Sequence, residues 1–268
     1  MSQINVNGGT LDAVEQGTGK PLLLLHSLLA DRSVFDRIMP ALATERRVVI
    51  PDLPGFGGSS SAGSAIDGFA DRLADLFPAL GLGPDTDVLG NGFGGFVAST
   101  LAIRHGHLFD RLVLADTGVG FSDAGKAAFH AMAGRVREHG MEGVVDIAMK
   151  RLFPDAFIEA NPDVIAERRA ALVKTDPVLF AQACEALAAL DLKASIGSIR
   201  NRTLVLVGSL DAATPPPMAH ELAKSIPGAE LVELPGSGHA PMVQDPDGFL
   251  RALAGFLGIK NDARMRAV

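Results

Sequence analysis

Short apolar runs alternate with helical patterns of apolar residues along the first part of the chain. The runs predict strands buried on both faces. Strands are predicted at residues 22–25, 47–50, 87–89 and 112–115, and helices at residues 34–43, 66–80 and 96–104. Strands that alternate with helices in this way predict a parallel sheet with right-handed crossovers, the α/β class of fold.

The alternation stops between residues 120 and 196, where only helices are predicted, and it then resumes. The helices of this block are predicted at residues 124–139, 143–151, 162–173 and 177–190. Further strands are predicted at residues 203–207 and 230–234, and further helices at residues 217–225 and 246–257.

This change of pattern predicts how the chain is divided. We expect residues 1–119 and 197–260 to form an α/β core, residues 120–196 to form an inserted helical cap, and residues 261–268 to form a frayed tail. The alternative is a helical hairpin that only packs on one face of the core.

The composition is that of a globular protein with a large core. The chain has 268 residues, of which 47% are hydrophobic and 21% are charged. The net charge of −7 comes from dispersed acids, which argues against nucleic acid as the main partner. Neither a secretory signal nor an apolar stretch of about 20 residues is found, so we expect a cytoplasmic protein with no membrane segment.

Two residue types limit the chemistry of a site. Cys184 is the only cysteine, and its place in a helical segment predicts a buried structural role. The chain has 14 phenylalanines and no tryptophan or tyrosine, so any aromatic wall must consist of phenylalanine.

A glycine-rich turn follows the third predicted strand, at Gly90, Gly92 and Gly94. Small residues two before and two after a central position are what a strained strand-to-helix turn requires. This is the frame of the nucleophile elbow G-x-S-x-G, with Gly92 where serine is expected. The spacing of Gly90, Gly92 and Gly95, with Asp116 further on, also fits a dinucleotide fingerprint, although that motif follows the first strand of its fold.

Two later strands end in loops that present an acid, Asp211, and a histidine, His239. In open α/β sheets, sites are built where strands end. The acid would orient the imidazole ring, and the histidine would act as general base. Asp116 is the reserve candidate for the acid. The remaining histidines lack such framing and are interpreted as structural or solvated: His105, His107, His130, His139 and His220.

Together with His26-Ser27-Leu28 and the loop at residues 51–59, these features make the sequence resemble the α/β-hydrolase superfamily from about residue 22 to residue 257. The resemblance implies the chain order elbow, acid, histidine, and an oxyanion hole formed by the backbone N–H groups of Leu28 and Phe93. It also implies that the loop at residues 51–59 is structural. A plain turn is the alternative interpretation of residues 26–28.

Within the superfamily, the sequence resembles 3-oxoadipate enol-lactonases. Ser27-Leu28 and the run Asp211-Ala212-Ala213-Thr214-Pro215-Pro216 carry this likeness. It implies hydrolysis of a small ester or lactone, and C–C bond hydrolysis also fits the superfamily. The expected partner is a small-molecule substrate. No metal and no organic cofactor is expected, and a homo-oligomer is left open.

Gly92 departs from the Ser-His-Asp triad that the resemblance implies. Ser99 and Thr100, in the following helix, are not expected to reach the oxyanion hole. Three interpretations remain open. Asp211 and His239 activate water for direct attack, or the protein is a serine hydrolase inactivated by a Ser-to-Gly substitution at position 92, or it only binds a small ligand. Of these, direct water attack is the favoured hypothesis.

Overall fold

The structure, a computed structural model, describes residues 2–260, and these residues contain an eight-stranded sheet in the order β1-β2-β4-β3-β5-β6-β7-β8. β1 pairs antiparallel with β2, and β2 pairs antiparallel with β4, whereas the pairs from β4 through β3 to β8 are all parallel. The strands are β1 Ser2–Val6, β2 Gly9–Gln16, β3 Lys20–Leu25, β4 Arg46–Pro51, β5 Asp87–Asn91, β6 Arg111–Ala115, β7 Arg202–Gly208 and β8 Glu230–Leu234. The α/β class predicted from the sequence is confirmed.

Helices flank the sheet and also form a continuous block between β6 and β7. The α-helices are α1 Met39–Leu42, α2 Ile66–Ala74, α3 Leu76–Leu80, α4 Phe93–His105, α5 Asp123–His139, α6 Val145–Leu152, α7 Asp155–Ala160, α8 Pro162–Leu172, α9 Pro177–Ala189, α10 Pro216–Ser225, α11 Pro241–Gln244 and α12 Pro246–Leu257. Short 3₁₀ helices lie at Arg32–Phe35, Gly106–Leu108, Met141–Val144 and Ile196–Ser198. The tail predicted at residues 261–268 lies outside the described residues.

The N-terminal hairpin of β1 and β2 is not among the elements predicted from the sequence. Its signal is present, because Ile4 and Val6 alternate with polar residues and Asn7-Gly8 is a favourable hairpin turn. Gly8 has φ +77°, which that turn requires. The hairpin places two antiparallel strands beside β4, so the strand that precedes the elbow is the fifth in the chain and not the third.

Two helices predicted from the sequence are not continuous in the structure, because each predicted range contains a proline. The helix predicted at residues 34–43 is a 3₁₀ turn followed by α1, and the helix predicted at residues 66–80 is divided into α2 and α3. A proline inside a helix lacks an N–H donor, and its ring clashes with the carbonyl group four residues earlier. Pro40 and Pro78 therefore prevent continuous helices through Asp36 and Ala74. Helix α7 was not predicted.

The core of the sheet is formed by strands whose side chains are buried on both faces. Residues 22–25 of β3 are fully buried, as are Val88 and Leu89 of β5. Ten residues of α4, beginning with Phe93, are also buried, so this helix lies beneath other elements on all sides. The loops after β3, β5, β7 and β8 therefore start from a rigid scaffold, at the carboxyl edge of the sheet.

Candidate active site

The turn between β5 and α4 has the geometry of a tight elbow. Gly92 lies between the two elements with φ +54° and ψ −116°. A Cβ atom at Gly90 would lie 2.2 Å from the carbonyl oxygen of Gly94, and one at Gly94 would lie 2.2 Å from the carbonyl oxygen of Leu25. Such contacts leave no room for a side chain, which is the physical reason for glycine at both positions.

Gly92 has little free space beside it. A Cβ atom there would lie 2.4 Å from Oγ of Ser27 and 2.5 Å from Nε2 of His239. The hypothesis of water attack supposed that the missing serine leaves a vacancy for water. In the structure, the Ser27 hydroxyl and the imidazole ring fill that position.

Asp211 and His239 form the close pair expected from the sequence. Nδ1 of His239 lies 2.9 Å from Oδ2 of Asp211, and the two residues are 3% and 4% exposed. The N–H groups of Ala213 and Thr214 donate to Oδ1 of Asp211 over 2.7 and 3.0 Å, and the Thr214 hydroxyl donates to Oδ2 over 2.8 Å. Burial by itself would raise the pKa of Asp211, but the charge of His239 and these hydrogen bonds lower it overall.

Asp116, the reserve acid, makes different contacts. It is fully buried with φ +52°, and its carboxyl group accepts hydrogen bonds from the N–H of Gly208 at 2.8 Å and from Nδ2 of Asn91 at 3.2 Å. Burial, and then repulsion from the charge of Asp211, raise its pKa well above the ordinary value. Asp116 is therefore less readily ionised than Asp211, whose pKa is lowered. It is also sealed from any ribose, which argues against the dinucleotide interpretation.

The loop after β3 is fixed by the ring of His26. Its Nδ1–H donates to the carbonyl oxygen of Ser27 over 2.9 Å, and its Nε2 accepts from the N–H of Leu53 over 3.0 Å. Burial lowers the pKa of His26, so the ring is neutral and can serve as an acceptor. The carbonyl oxygen of His26 accepts from the N–H of Gly94 over 3.0 Å, which joins this loop to the elbow.

Two backbone donors remain available at this junction. Within residues 2–260, the N–H groups of Leu28 and Phe93 donate to no backbone or side-chain acceptor. Both residues line the same cavity as Gly92 and His239. Buried N–H groups without acceptors are unusual in folded proteins, and they can receive a ligand oxygen.

A narrow cavity with apolar walls lies over Gly92 and His239, and helices of the 120–196 block cover part of it. Its volume is about 30 Å³. The rings of Phe96, Phe121 and Phe129 form one wall, with successive centroid separations of 5.1 and 4.8 Å. Met132 and Leu187 contribute further apolar surface. The aromatic wall consists of phenylalanine, as the composition requires.

The other candidates lie away from this cavity. The Thr100 hydroxyl donates to the Phe96 carbonyl oxygen over 2.9 Å, and Ser99 is buried inside α4. Cys184 is fully buried, and burial raises the pKa of its thiol to about 12, which makes it unreactive. His105 and His220 pair with surface carboxylates, those of Asp71 and Glu233.

The side chains of Ser27 and Thr214 also belong to the site, although the sequence motifs predict no chemical role for them. The Ser27 hydroxyl lies 3.2 Å from Nε2 of His239, and the Thr214 hydroxyl contacts Asp211. A signal for Ser27 existed, because this residue lies two positions after a buried strand, and Asp211 and His239 also lie in loops that follow strands. What the sequence did not reveal is that β3 lies beside β5 in the sheet.

Residues 22–252 match the model of the Alpha/beta hydrolase family. The chain belongs to this family. The resemblance inferred from the sequence motifs is thereby confirmed, as is the prediction of a hydrolase-fold enzyme.

This family member is similar to esterases and lactonases. It is 28% identical to the pimeloyl-[acyl-carrier protein] methyl ester esterase of Aromatoleum aromaticum, over 84% of this chain and 93% of the relative. It is 27% identical to 3-oxoadipate enol-lactonase 2 of Acinetobacter baylyi, over 87% of this chain and 86% of the relative. The crystal structure of the enol-lactonase from Burkholderia xenovorans superimposes with a TM-score of 0.90 and 28% identity, and the match covers 96% of this chain and all of that one.

The structure also bears on the expected relation to membranes. Within residues 2–260, no helix combines the length and the apolar character needed to cross a bilayer.

Proposed function

We propose that this hydrolase cleaves a small ester or lactone, such as an enol-lactone. One observation carries the proposal. A histidine paired with a buried carboxylate faces a phenylalanine-lined cavity, on which the backbone N–H groups of Leu28 and Phe93 find no acceptor among residues 2–260. A base and an oxyanion site on one cavity are the two elements that acyl transfer to water requires.

His239 is assigned the role of general base. Its Nδ1–H is directed at Asp211, which leaves the lone pair of Nε2 free to accept a proton. Asp211 holds this tautomer and stabilises the imidazolium ion that forms when Nε2 takes the proton. The hydrogen bonds from Thr214 keep Asp211 ionised and fixed. His239 therefore activates water. The water attacks either the substrate directly or an acyl group that has first been transferred to the protein.

Leu28 and Phe93 are assigned to the oxyanion hole. Their free N–H groups lie on the loop after β3 and at the start of α4, and the hydrogen bond from Gly94 to His26 joins these two segments. A donor pair fixed in this way needs no rearrangement when negative charge develops on the carbonyl oxygen of the substrate.

Residues 120–196 are assigned the role of a cap. Phe121, Phe129, Met132, Arg151 and Leu187 come from this block and line the cavity over His239. The cavity of about 30 Å³ favours a small substrate and requires these side chains to move when it binds. The names of the relatives support an ester or a lactone as the bond that is cleaved.

The experiment compares the parent protein with His239→Ala on short-chain esters and enol-lactones. Turnover by the parent, together with its loss in His239→Ala, is expected. His130→Ala is the matched control, because His130 is an exposed residue of α5 outside the cavity. A parent that binds these compounds without turnover, with binding unchanged in His239→Ala, would show a ligand-binding protein and contradict the proposal.

A further inference from the structure

A buried serine hydroxyl faces the histidine from outside the elbow. Oγ of Ser27 lies 3.2 Å from Nε2 of His239, and the two residues are 2% and 3% exposed. Among residues 2–260, this imidazole nitrogen is the hydroxyl's hydrogen-bond partner. The nitrogen that acts as base in the proposed function is thus already in contact with an O–H group of the protein.

The Ser27 hydroxyl also lies where a side chain at position 92 would extend. A Cβ atom built on Gly92 falls 2.4 Å from Oγ of Ser27 and 2.5 Å from Nε2 of His239. The absence of a side chain at position 92 therefore makes room for the side chain of Ser27. The elbow supplies the space, and the loop after β3 supplies the hydroxyl.

We propose that Ser27 is the nucleophile of this hydrolase, in a triad of Ser27, His239 and Asp211. The inference rests on the proposed function. The two links of the triad measure 3.2 Å from Oγ to Nε2 and 2.9 Å from Nδ1 to Oδ2. Nucleophilic catalysis requires this chain of contacts, in which an orienting group holds the base and the base contacts the nucleophile.

The backbone of Ser27 is held rigidly, as a nucleophile requires. His26 binds the Ser27 carbonyl oxygen through Nδ1–H and the Leu53 N–H through Nε2. The ring of His26 also packs edge-on against Phe56, with a centroid separation of 4.9 Å. His26 is therefore a positioning residue, which fixes the loop that carries Ser27.

The oxyanion donors suit attack from this position. The N–H of Leu28 belongs to the residue directly after Ser27, which is the relation that an elbow nucleophile has to its own donor. The N–H of Phe93 approaches from the start of α4. Neither donor has an acceptor in the part of the chain that the structure describes, and both residues line the cavity with Ser27.

The reaction proceeds in two steps, the acylation of Ser27 and the hydrolysis of the acyl group. Oγ of Ser27 bonds to the carbonyl carbon while its proton passes to Nε2 of His239, and the carbonyl electron pair moves onto the oxygen held by the two N–H groups. When the carbonyl reforms, the ester C–O bond breaks and the leaving oxygen takes the proton from Nε2. Water then attacks the acyl group on Ser27 in the same way. The acid is released, and the proton returns to Oγ.

The test combines covalent labelling with kinetics. The parent protein is treated with a fluorophosphonate, and the adduct is located by peptide mass spectrometry. Release of nitrophenol from p-nitrophenyl acetate is followed before the steady state. We expect one adduct on Ser27 and a burst of about one equivalent, which reports an accumulating acyl-enzyme. Ser27→Ala is expected to lose both, and to lose about 10³-fold or more in turnover.

Two variants keep the test independent of folding. Ser99→Ala removes a buried hydroxyl of α4 outside the cavity and is expected to be labelled and to turn over like the parent. Ser27→Cys retains a nucleophile in place of the hydroxyl, and it is expected to accumulate a thioester detectable by intact mass.

The outcomes separate this inference from the proposed function. Parent turnover that survives in Ser27→Ala, with no adduct on Ser27, would establish direct water attack and overturn the inference alone. An adduct on Ser27 without turnover would support the nucleophile and contradict the hydrolysis. A parent with neither adduct nor turnover would overturn both.

Discussion

The hydroxyl group of Ser27 lies in the space that a side chain at position 92 would need. A Cβ atom on Gly92 would lie 2.4 Å from Oγ of Ser27, so the hydroxyl keeps its place only while residue 92 has no side chain. The two residues follow the ends of adjacent parallel strands, Ser27 after β3 and Gly92 after β5. Substitutions at either position therefore affect the other.

Gly92→Ala is expected to lower both stability and turnover. The added Cβ meets Ser27 and His239, and φ +54° is unfavourable for any residue with a side chain. We expect a loss of about 1–3 kcal/mol in the free energy of unfolding and a fall in turnover of roughly 100-fold, because the base is displaced. Urea denaturation and steady-state kinetics measure the two effects.

Gly134→Ala is the matched control for this substitution. Gly134 lies within α5, and a Cβ atom there meets nothing within 4 Å. We expect a gain of about 0.5–1 kcal/mol, since alanine is the better helix former, and unchanged turnover. A Gly92→Ala protein as active and as stable as Gly134→Ala would contradict the steric argument.

The double substitution Ser27→Gly with Gly92→Ser is expected to move the nucleophile. Removing the side chain at position 27 clears the contacts that a Cβ at position 92 would otherwise make with that side chain. Fluorophosphonate labelling, located by peptide mapping, is expected to shift from residue 27 to residue 92. Absence of any adduct in the double variant would contradict the prediction and show that His239 does not activate a hydroxyl at position 92.

Asp211→Asn is expected to reduce turnover about 10⁴-fold, as loss of the orienting acid does in serine hydrolases. The neutral amide neither fixes the imidazole tautomer nor stabilises the imidazolium ion. Asp116→Asn is the comparison, because the carboxyl group of Asp116 contacts Gly208 and Asn91, and its raised pKa makes it the weaker acid of the two. We expect it to stay within about tenfold of the parent. Equal losses of turnover in the two variants would indicate that Asp116 is the orienting acid.

Asp116 also predicts a pH dependence of stability. Its pKa is raised in the folded protein, so its contribution to stability is complete below the ordinary unfolded pKa of about 3.9 and is lost as the pH rises toward the folded pKa. Asp116→Asn cannot ionise and does not show this loss. The stability of the parent relative to Asp116→Asn should therefore fall as the pH rises from 4 to 7. Urea denaturation at several pH values measures it, and a constant difference would disprove the prediction.

Arg151 is expected to favour substrates with a carboxylate. It lines the cavity, it is partly buried, and it forms no ion pair within residues 2–260. Arg151→Met should raise KM about tenfold for the monomethyl ester of a short dicarboxylic acid, because a charged hydrogen bond is lost. The corresponding monocarboxylic ester should be unaffected. Arg135→Met, outside the cavity, is the control, and an equal effect on both esters would count against this role.

The sequence by itself determined the strands of the parallel part of the sheet, most of the longer helices, the family and most of the chemical groups. Buried strands appear as continuous apolar runs, and the glycines at positions 90 and 94 indicate a turn that tolerates no side chain, because these are local properties of the chain. Asp211 and His239 could be selected since each follows a strand. The sequence also contains the signal for two helix breaks, Pro40 and Pro78, although the helices predicted at residues 34–43 and 66–80 run through these prolines.

Only the tertiary structure decided which groups touch. Ser27 and His239 are 212 residues apart in the chain. They meet because Ser27 follows β3, which lies beside β5, and the loop that carries His239 extends from β8, at the edge of the sheet, back to this point. The raised pKa of Asp116 follows from its burial and from the nearby charge of Asp211, which no local pattern encodes. Whether the space beside Gly92 was empty or filled depended on the path of the loop after β3. Side-chain contacts between distant strands are set by strand order and packing, and the local pattern that defines each strand does not contain them.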